Sequence, residues 1–264
     1  MDISALTFIS PASKDFDNVL ESIDKSNTVC EDVHFRFSRL YITTITVLSD
    51  ISSAIDLSAA YRALQSKYDL VYQPDRTAPP PEGKRMFYNC MKWEKQVRDG
   101  DVAMKVSSKI FPNGKFQFTG FKTIKAINVV PRFMLKELRG TQDLGAATMN
   151  DIKIVQMNST FYILKDKTKW NILQRKLHDI LMTKEHISVG GRVVNSTFKP
   201  EKYPGINVKF KCQRSEKNIT ILIFSTGSAL INGGYDIEDY KAAYDMVCRL
   251  VMEHRDTLIT RSLV

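Results

Sequence analysis

Two segments of the chain share one pattern, and this internal repeat constrains the fold more than any other sequence feature. Residues 110–121 read IFPNGKFQFTGF, and residues 223–234 read IFSTGSALINGG. Four positions are identical in a gapless alignment: Ile110, Phe111, Gly114 and Gly120 meet Ile223, Phe224, Gly227 and Gly233. Each segment reads as a strand, a small-residue turn and a second strand. The pattern therefore predicts one β-hairpin used twice, either by chance or because the chain contains a duplicated unit.

Length and composition place the chain among soluble globular proteins. Its 264 residues allow one large domain or two fused repeats. Hydrophobic residues make up 43% and charged residues 25%. No apolar run approaches the roughly 18 residues that span a bilayer, and no signal-peptide pattern is visible. The four scattered cysteines lack metal-ligand spacing and indicate a reducing compartment.

Charge is distributed unevenly along the chain. The net charge is +9, but residues 1–33 carry seven acids and two lysines, a net −5, so the remaining residues carry +14. A basic body behind an acidic leader favours an anionic partner, of which nucleic acid is the commonest. Solubility alone is the alternative explanation.

Strand and helix patterns alternate from residue 34 onward, in an order that occurs twice. Each half is predicted as strand, helix, about four strands and helix, which is an α+β unit. The predicted helices cover residues 55–68, 124–140, 168–182 and 236–258, with Asp56 or Ser58 capping the first and Asp236 the last. Pro131 is expected to kink or split the second helix. Residues 76–84 are predicted to form a proline-rich loop, and residues 1–33 a leader with a short helix near 15–24.

Period-two alternation separates the two faces of the predicted sheet. Ile219, Ile221 and Ile223 are predicted to lie under the helices, as are Phe116 and Phe118. The opposite face would carry short polar groups, occasional large apolar side chains and lysines near its edges. Such a surface suits either a groove of mixed polarity lined by phosphates or a covering leader or partner protein.

Several segments resemble the TATA-box-binding protein family. FKPEKYPG, residues 198–205, resembles the segment entering the second stirrup of that family, and ILIFSTGSALING, residues 221–233, resembles the hairpin that follows. YQPDR, residues 72–76, echoes FKPEK in the first half, and IDLSAAYRAL, residues 55–64, resembles the family's first helix. The resemblance covers roughly residues 34–260. Length and divergence are most similar to the TATA-box-binding-like proteins of large DNA viruses, or to a protist paralogue.

The resemblance implies a fold class and a domain organisation. The expected fold is α+β, a pseudo-symmetric saddle of two repeats, with a curved antiparallel sheet of about ten strands and four main helices on its convex side. Residues 34–145 would form the first repeat and residues 146–264 the second, after the leader of residues 1–33. The concave face would lie in the DNA minor groove, where apolar side chains wedge between base steps and kink the duplex.

The resemblance also implies site residues. Phe111 and Phe224 match the family's intercalating phenylalanine of each repeat, Tyr203 matches the second wedge of the second repeat, and Met86 or Phe87 is its counterpart in the first. Thr44 and Gln156 fall on the family's paired asparagines, and Thr119 and Asn232 on groove-facing positions. The further DNA-contacting candidates are Gln117, Asn158, Thr226, Leu230, Lys105, Lys109, Lys115, Lys209 and Lys211. Glu201 is the candidate contact for a transcription factor IIB-like protein.

The function expected from these residues is a DNA-binding general transcription initiation factor. It would bind and bend AT-rich promoter DNA as a monomer, recruit a IIB-like factor and RNA polymerase, and use no cofactor, metal or catalysis. The alternative is a saddle-fold interaction scaffold that has lost DNA binding, which the departures at Thr44, Tyr203 and Asn232 motivate. The expected location is the nucleus or a cytoplasmic viral factory, with packaging in a virion also open, and secretion is not expected.

Overall fold

The structure, a computed structural model, describes residues 1–3, 34–74, 88–183, 187–188 and 190–262. The predicted leader helix near residues 15–24 and the proline-rich loop at residues 76–84 lie outside the described residues. So do two of the site candidates, Met86 and Phe87.

The chain forms two compact units. The described part of unit 1 consists of residues 1–3, 44–74 and 88–155, and that of unit 2 consists of residues 34–43, 156–183, 187–188 and 190–262. Both divisions fall inside strands, so the unit limits differ from the repeat limits proposed from the sequence. The assignment of residues 34–145 and 146–264 to two repeats stays a prediction.

Unit 1 combines an antiparallel sheet with two helices. Its elements are β1 (Tyr41–Asp50, of which the first three residues belong to unit 2), α1 (Leu57–Leu64), β2 (Asp69–Gln73), β3 (Cys90–Asp99), β4 (Val102–Ile110), β5 (Lys115–Phe121) and α2 (Ile124–Arg139). The strands are ordered β2-β3-β4-β5-β1, and neighbouring strands are antiparallel.

Unit 2 has the same plan with more strands. Its elements are β6 (Lys153–Tyr162, of which the first three residues belong to unit 1), β7 (Trp170–Ile172), α3 (Gln174–Thr183), β8 (Ile187–Ser188), β9 (Gly191–Thr197), β10 (Ile206–Cys212), β11 (Asn218–Ile223), β12 (Ser228–Asn232), α4 (Ile237–Glu253), α5 (Arg255–Leu258) and β13 (Ile259–Arg261). The main strands are ordered β6-β12-β11-β10-β9-β8, and β7 pairs with β13 in a separate ribbon.

The helices begin at side-chain caps. Asp56 accepts a hydrogen bond from the Ala59 backbone N–H at 2.9 Å, so Asp56 rather than Ser58 caps α1. Thr123 caps α2, and Asp236 caps α4 as predicted. Helix α2 is not split at Pro131, since it continues without a break to Arg139. Pro131 is buried, so packing of this apolar face offsets the hydrogen bond that its missing N–H cannot make.

Alternation along the strands gives each unit one buried sheet face, as predicted. Ile219, Ile221 and Ile223 are at most 1% exposed, and Phe116 and Phe118 are equally buried. In unit 1 the buried face lies against α2, where the Trp93 and Phe133 rings are 6.4 Å apart. In unit 2 the Phe161 ring meets Tyr244 of α4 at 4.8 Å. We call the opposite surface of each sheet its open face.

Some predicted elements differ from the observed ones. The long strand expected from residue 34 begins at Tyr41. The helix expected from residue 168 begins at Gln174, because Trp170–Ile172 pair with Ile259–Arg261. Strand β2 was not predicted, and neither was the pairing of the first three residues with β3, in which Ile3 N–H donates to the Arg98 carbonyl at 2.9 Å.

The described residues include neither a membrane-spanning helix nor a metal-binding cluster. None of the helices there combines the length and the hydrophobicity needed to cross a membrane. No group of three or more His, Cys, Asp or Glu side chains in that part of the chain is arranged to hold a metal ion.

Candidate functional site

The duplicated hairpin has the same backbone geometry in both units. In unit 1 the Phe111 N–H donates to the Lys115 carbonyl at 2.9 Å, and the Gly114 N–H donates to the Phe111 carbonyl at 3.0 Å. In unit 2 the corresponding pairs are Phe224 with Ser228 at 2.9 Å and Gly227 with Phe224 at 3.0 Å.

Both turns require glycine at the same place. Gly114 and Gly227 each have φ of 77°, a left-handed conformation that side chains disfavour. A Cβ on Gly114 would lie 2.2 Å from the Ser53 carbonyl oxygen, so the turn also needs glycine for space. The shared pattern in the sequence therefore corresponds to one turn built twice.

Phe111 and Phe224 are the first residues of these turns, and both rings are half-buried. Strand pairing continues in register from Ile223 with Ala229 to the Phe224–Ser228 hydrogen bond, which assigns Phe224 to the open face. Phe111 has the same position relative to Ile110 and Phe116. Neither ring belongs to the buried core, so each unit presents an aromatic side chain at the hairpin end of its open face.

Two rows of side chains cross the open face of unit 2. Residues directly opposite in neighbouring strands share a face, so the strand register assigns the members of each row. One row is Thr197, Asn207, Leu222, Leu230 and Thr160, and the other is Asn195, Lys209, Thr220, Asn232 and Asn158. The rows contain amides, threonines, two leucines and one lysine. This surface offers hydrogen-bond donors and apolar contact without a carboxylate.

The open face of unit 1 has the same register but a different charge pattern. Its first row is Val71, Lys92, Lys109, Gln117 and Leu48, and its second is Asp69, Glu94, Ser107 and Thr119. Lys105 lies opposite Gln96, one step further along. This face therefore carries both cations and carboxylates, whereas the corresponding rows of unit 2 carry no carboxylate.

Tyr203 and Phe224 form an aromatic pair. Their ring centroids are 5.8 Å apart in an edge-to-face arrangement, and Tyr203 is 44% exposed. Gly205 makes the contact possible, since a Cβ there would lie 2.9 Å from the Tyr203 ring and 3.0 Å from the Phe224 ring. The sequence-predicted wedges of the second repeat are thus neighbours at one corner of the open face.

Gln174, at the start of α3, ties the two segments that carry this aromatic pair. Its amide nitrogen lies 2.7 Å from the Pro204 carbonyl oxygen and 3.0 Å from the Ile223 carbonyl oxygen. The segment 199–203 is itself a tight turn, in which the Lys202 and Tyr203 N–H groups donate to the Lys199 carbonyl. The Gln174 side chain therefore holds the segment that carries Tyr203 against the end of β11.

The predicted polar contacts fall on or near the open faces. Asn158 and Asn232 are directly opposite in neighbouring strands, and the Gln156 amide donates to Asn158 Oδ1 at 3.2 Å. Thr119 donates to the Ser107 carbonyl at 3.3 Å. Thr44 is half-buried in β1, and Thr226 is exposed in the hairpin turn.

The predicted lysines differ in their surroundings. Lys209 and Lys211 are exposed in β10, and Lys209 donates to the Thr220 hydroxyl at 2.6 Å. Lys105 forms an ion pair with Glu94 at 2.5 Å. Lys109 lies opposite Gln117. Lys115 lies opposite Asp50, whose pKa is lowered chiefly by hydrogen bonds from Asn150 and Ser52, with a smaller contribution from Lys115 itself.

Glu201, the predicted partner contact, is exposed in the turn of residues 199–203. Its neighbour Lys202 is exposed as well, so this end of unit 2 presents charges of both signs. The position is accessible to a protein partner.

Several residues of these faces were not predicted from the sequence. Glu94 and Lys92 could have been found, because they alternate with the buried Trp93 and Met91 in CMKWEK. Tyr41 and Tyr162, each 40% exposed, pack edge to face at 6.4 Å. Their contact joins positions 121 residues apart, and no local pattern reveals such a pairing.

Comparison with known proteins connects this geometry to one family. The family model described as transcription factor TFIID (or TATA-binding protein, TBP) matches residues 185–254. TATA-box-binding protein 1 of Methanosarcina acetivorans is 26% identical over 201 residues, covering 76% of this chain and 94% of that protein. TATA-box-binding protein 2 of Methanosarcina mazei is 27% identical over 200 residues, with the same coverage.

A solved structure shows the same fold. Methanococcus jannaschii TBP superposes with a TM-score of 0.52 at 21% identity, covering 82% of this chain and 99% of that one. Over 76% of its length the chain is similar to the two Methanosarcina TATA-box-binding proteins, and it shares the fold of the solved one. The predicted fold class, the α+β fold of that family, is confirmed. The matching family model describes a transcription factor, and the viral origin indicated by length and divergence stays a prediction.

Proposed function

We propose that this chain is a TATA-box-binding protein and acts as a general transcription initiation factor that binds and bends promoter DNA through the minor groove. The observation that carries the proposal is the pair of equivalent hairpins, each presenting a half-buried phenylalanine beside an open sheet face. In unit 2 that phenylalanine packs against a second exposed ring, Tyr203. An apolar ring at such a position can enter between base steps and kink the duplex.

The rest of the open face suits the minor groove of AT-rich DNA. That groove presents only the acceptors adenine N3 and thymine O2 at A·T pairs. The rows of unit 2 supply matching donors from Asn158, Asn232 and Thr220, and contact area from Leu222 and Leu230. Flexible pyrimidine–purine steps such as TA deform most easily, so bending adds sequence preference without further base contacts.

The same proposal extends to the transcription machinery. The turn that carries Glu201 is exposed, so a IIB-like factor would contact it there and then recruit RNA polymerase. Glu201→Arg should weaken the ternary complex and leave binary DNA binding unchanged, whereas Asp256→Arg, in α5, should change neither. Equal ternary affinity for both variants would exclude Glu201 as the contact. The protein would work as a monomer on DNA in the nucleus or the cytoplasm, without a cofactor.

The test is DNA binding by the full chain at several salt concentrations. AT-rich and GC-rich duplexes are compared by fluorescence anisotropy, with Phe111→Ala, Phe224→Ala and the control Tyr235→Ala, an exposed tyrosine just before α4. Loss of a stacked aromatic should weaken AT-rich binding by about 10- to 100-fold, and Tyr235→Ala should bind as the parent does. Negligible binding of every duplex by the parent would contradict the proposal.

That negative result would instead favour an interaction scaffold that has lost DNA binding. The observation that supports this second function is the pair of carboxylates on the open face of unit 1, Asp69 and Glu94. Carboxylates repel phosphates, so a sheet face that does not bind DNA could carry carboxylates without cost to function. The anisotropy experiment separates the two functions, because a scaffold would show no preference for AT-rich DNA at low salt.

A further inference from the structure

An acidic side chain lies among the cations on the open face of unit 1. Glu94 occupies the middle of β3, directly opposite Ser107. Its neighbour Trp93 is fully buried on the helix side, so alternation assigns Glu94 to the open face. The predicted DNA-contacting residues Gln117 and Thr119 are on the same face.

Two lysines hold this carboxylate. Lys105 Nζ lies 2.5 Å from Glu94 Oε2, and Lys92 Nζ lies 2.6 Å from Glu94 Oε1, so each oxygen accepts from one ammonium group. These hydrogen bonds lower the pKa of Glu94 below its ordinary value, and the bond from Lys105 contributes most. The same bond raises the pKa of Lys105. The Glu94 side chain is only 19% exposed, which limits the screening of its charge by solvent.

The equivalent position in unit 2 carries the opposite charge. Glu94 lies between Asp69 and Ser107, and Lys209 lies between Asn195 and Thr220 in the corresponding row. No ion pair between Lys209 and an acid is found within the part of the chain that the structure describes. At matching sites of the two open faces, one unit therefore presents an ammonium group and the other a carboxylate clamped by two lysines.

We propose that Glu94 acts as an internal competitor for DNA phosphates, which makes unit 2 the stronger DNA-binding half and unit 1 the weaker. This inference rests on the proposed DNA-binding function. A phosphate that contacts Lys92 or Lys105 must replace Glu94 or share the ammonium group with it, and in either exchange the carboxylate repels the phosphate. Lys209 and Lys211 contact phosphates without that exchange. The two halves of a promoter element are consequently bound with unequal strength, so the protein prefers one of its two orientations on that element.

The experiment compares Glu94→Gln with Glu137→Gln in the full chain. Glu137 is a matched control, since it accepts from Lys67 at 2.7 Å, has 18% of its side chain exposed, and lies on α2 away from the open face. The probe is one AT-rich duplex of defined sequence, with affinity measured by anisotropy across a salt series. Circular dichroism melting checks that both variants fold.

Freeing two lysines should raise the slope of log affinity against log salt by about 1 to 2, since each phosphate contact contributes about 0.9. Affinity of Glu94→Gln at low salt should rise by about tenfold, and Glu137→Gln should match the parent. If Glu94→Gln binds like Glu137→Gln, or more weakly than the parent, the inference is wrong while the proposed function stands. If the parent binds no duplex at low salt, the proposed function fails and the inference fails with it.

Discussion

Substituting Gly205 by alanine should displace the Tyr203 and Phe224 rings and leave the rest of the proposed DNA-binding surface unchanged. The new Cβ would lie 2.9 Å from the Tyr203 ring and 3.0 Å from the Phe224 ring. Carbon atoms pack at about 3.5–4.0 Å, so each ring must retreat by roughly 0.5–1 Å. The backbone of Gly205 is not left-handed, and alanine can adopt it without strain.

The expected effect on stability is small. Tyr203 is 44% exposed and Phe224 is half-buried, so both rings have solvent to move into. Alanine also restricts the unfolded chain more than glycine does, which offsets part of the clash. The free energy of unfolding should therefore change by less than about 1 kcal/mol.

The expected effect on DNA binding is larger. A wedge must meet its base step within about 0.5 Å of the productive position, and losing one aromatic contact with a base costs about 1–3 kcal/mol. Displacing both rings should weaken AT-rich binding by about tenfold, which corresponds to about 1.4 kcal/mol. Fluorescence anisotropy measures the affinity, and a duplex labelled at both ends reports the bend by energy transfer.

The control is Gly140→Ala at the C-terminal cap of α2, where φ is −70° and a Cβ would lie 3.3 Å from the Glu137 carbonyl oxygen. This variant should bind and bend DNA as the parent does. If Gly205→Ala kept both the affinity and the bend of the parent, the aromatic pair would not be the wedge. A loss of several kcal/mol in stability would show instead that the rings cannot move.

Two further predictions concern the support of the unit 2 sheet. Tyr240→Phe should lower the free energy of unfolding by about 1–3 kcal/mol in chemical denaturation, because the buried hydroxyl donates to the Met157 carbonyl and accepts from the Gly234 N–H. An unchanged denaturation midpoint would contradict that role. Asp239 is a buried carboxyl, and burial raises its pKa above the ordinary 3.8, although Ser215 and Cys212 lie close enough to lower it in part. The free-energy cost of ionising Asp239 in the folded protein therefore grows as the pH rises above about 4. Asp239→Asn should have a higher melting temperature than the parent at pH 7, and this difference should shrink toward pH 4. A difference that does not depend on pH would contradict the prediction.

The sequence predicted those parts of the fold that local patterns determine. Alternation assigned Ile219, Ile221 and Ile223 to the core because each residue of a half-buried strand reveals its face by its polarity. Capping depends on residues within one turn, so the sequence identified Asp236 and narrowed the first cap to Asp56 or Ser58, of which Asp56 is the cap.

Local sequence patterns did not predict the elements that depend on partners far away in the chain. Trp170–Ile172 carry a helix-like spacing, yet they form a strand because Ile259–Arg261 offer an edge to pair with. Ile3 is buried because residues 1–3 lie along β3, and its own polar neighbourhood gives no sign of this.

The candidate site shows the same division. The resemblance to TATA-box-binding proteins indicated Phe111 and Phe224, and both lie at the hairpin ends. The role of Glu94 depends on Lys105, which reaches it from the neighbouring strand. Such cross-strand pairs appear only once the register is known.

The most direct test of the whole account is the shape of an AT-rich duplex bound to the full chain. Energy transfer between dyes at the two duplex ends should report a bend of roughly 20–90° on binding, with a smaller bend for Phe111→Ala and for Phe224→Ala. A bound duplex that stays straight, or a bend that neither variant reduces, would contradict the claim that these two aromatic side chains open the base steps.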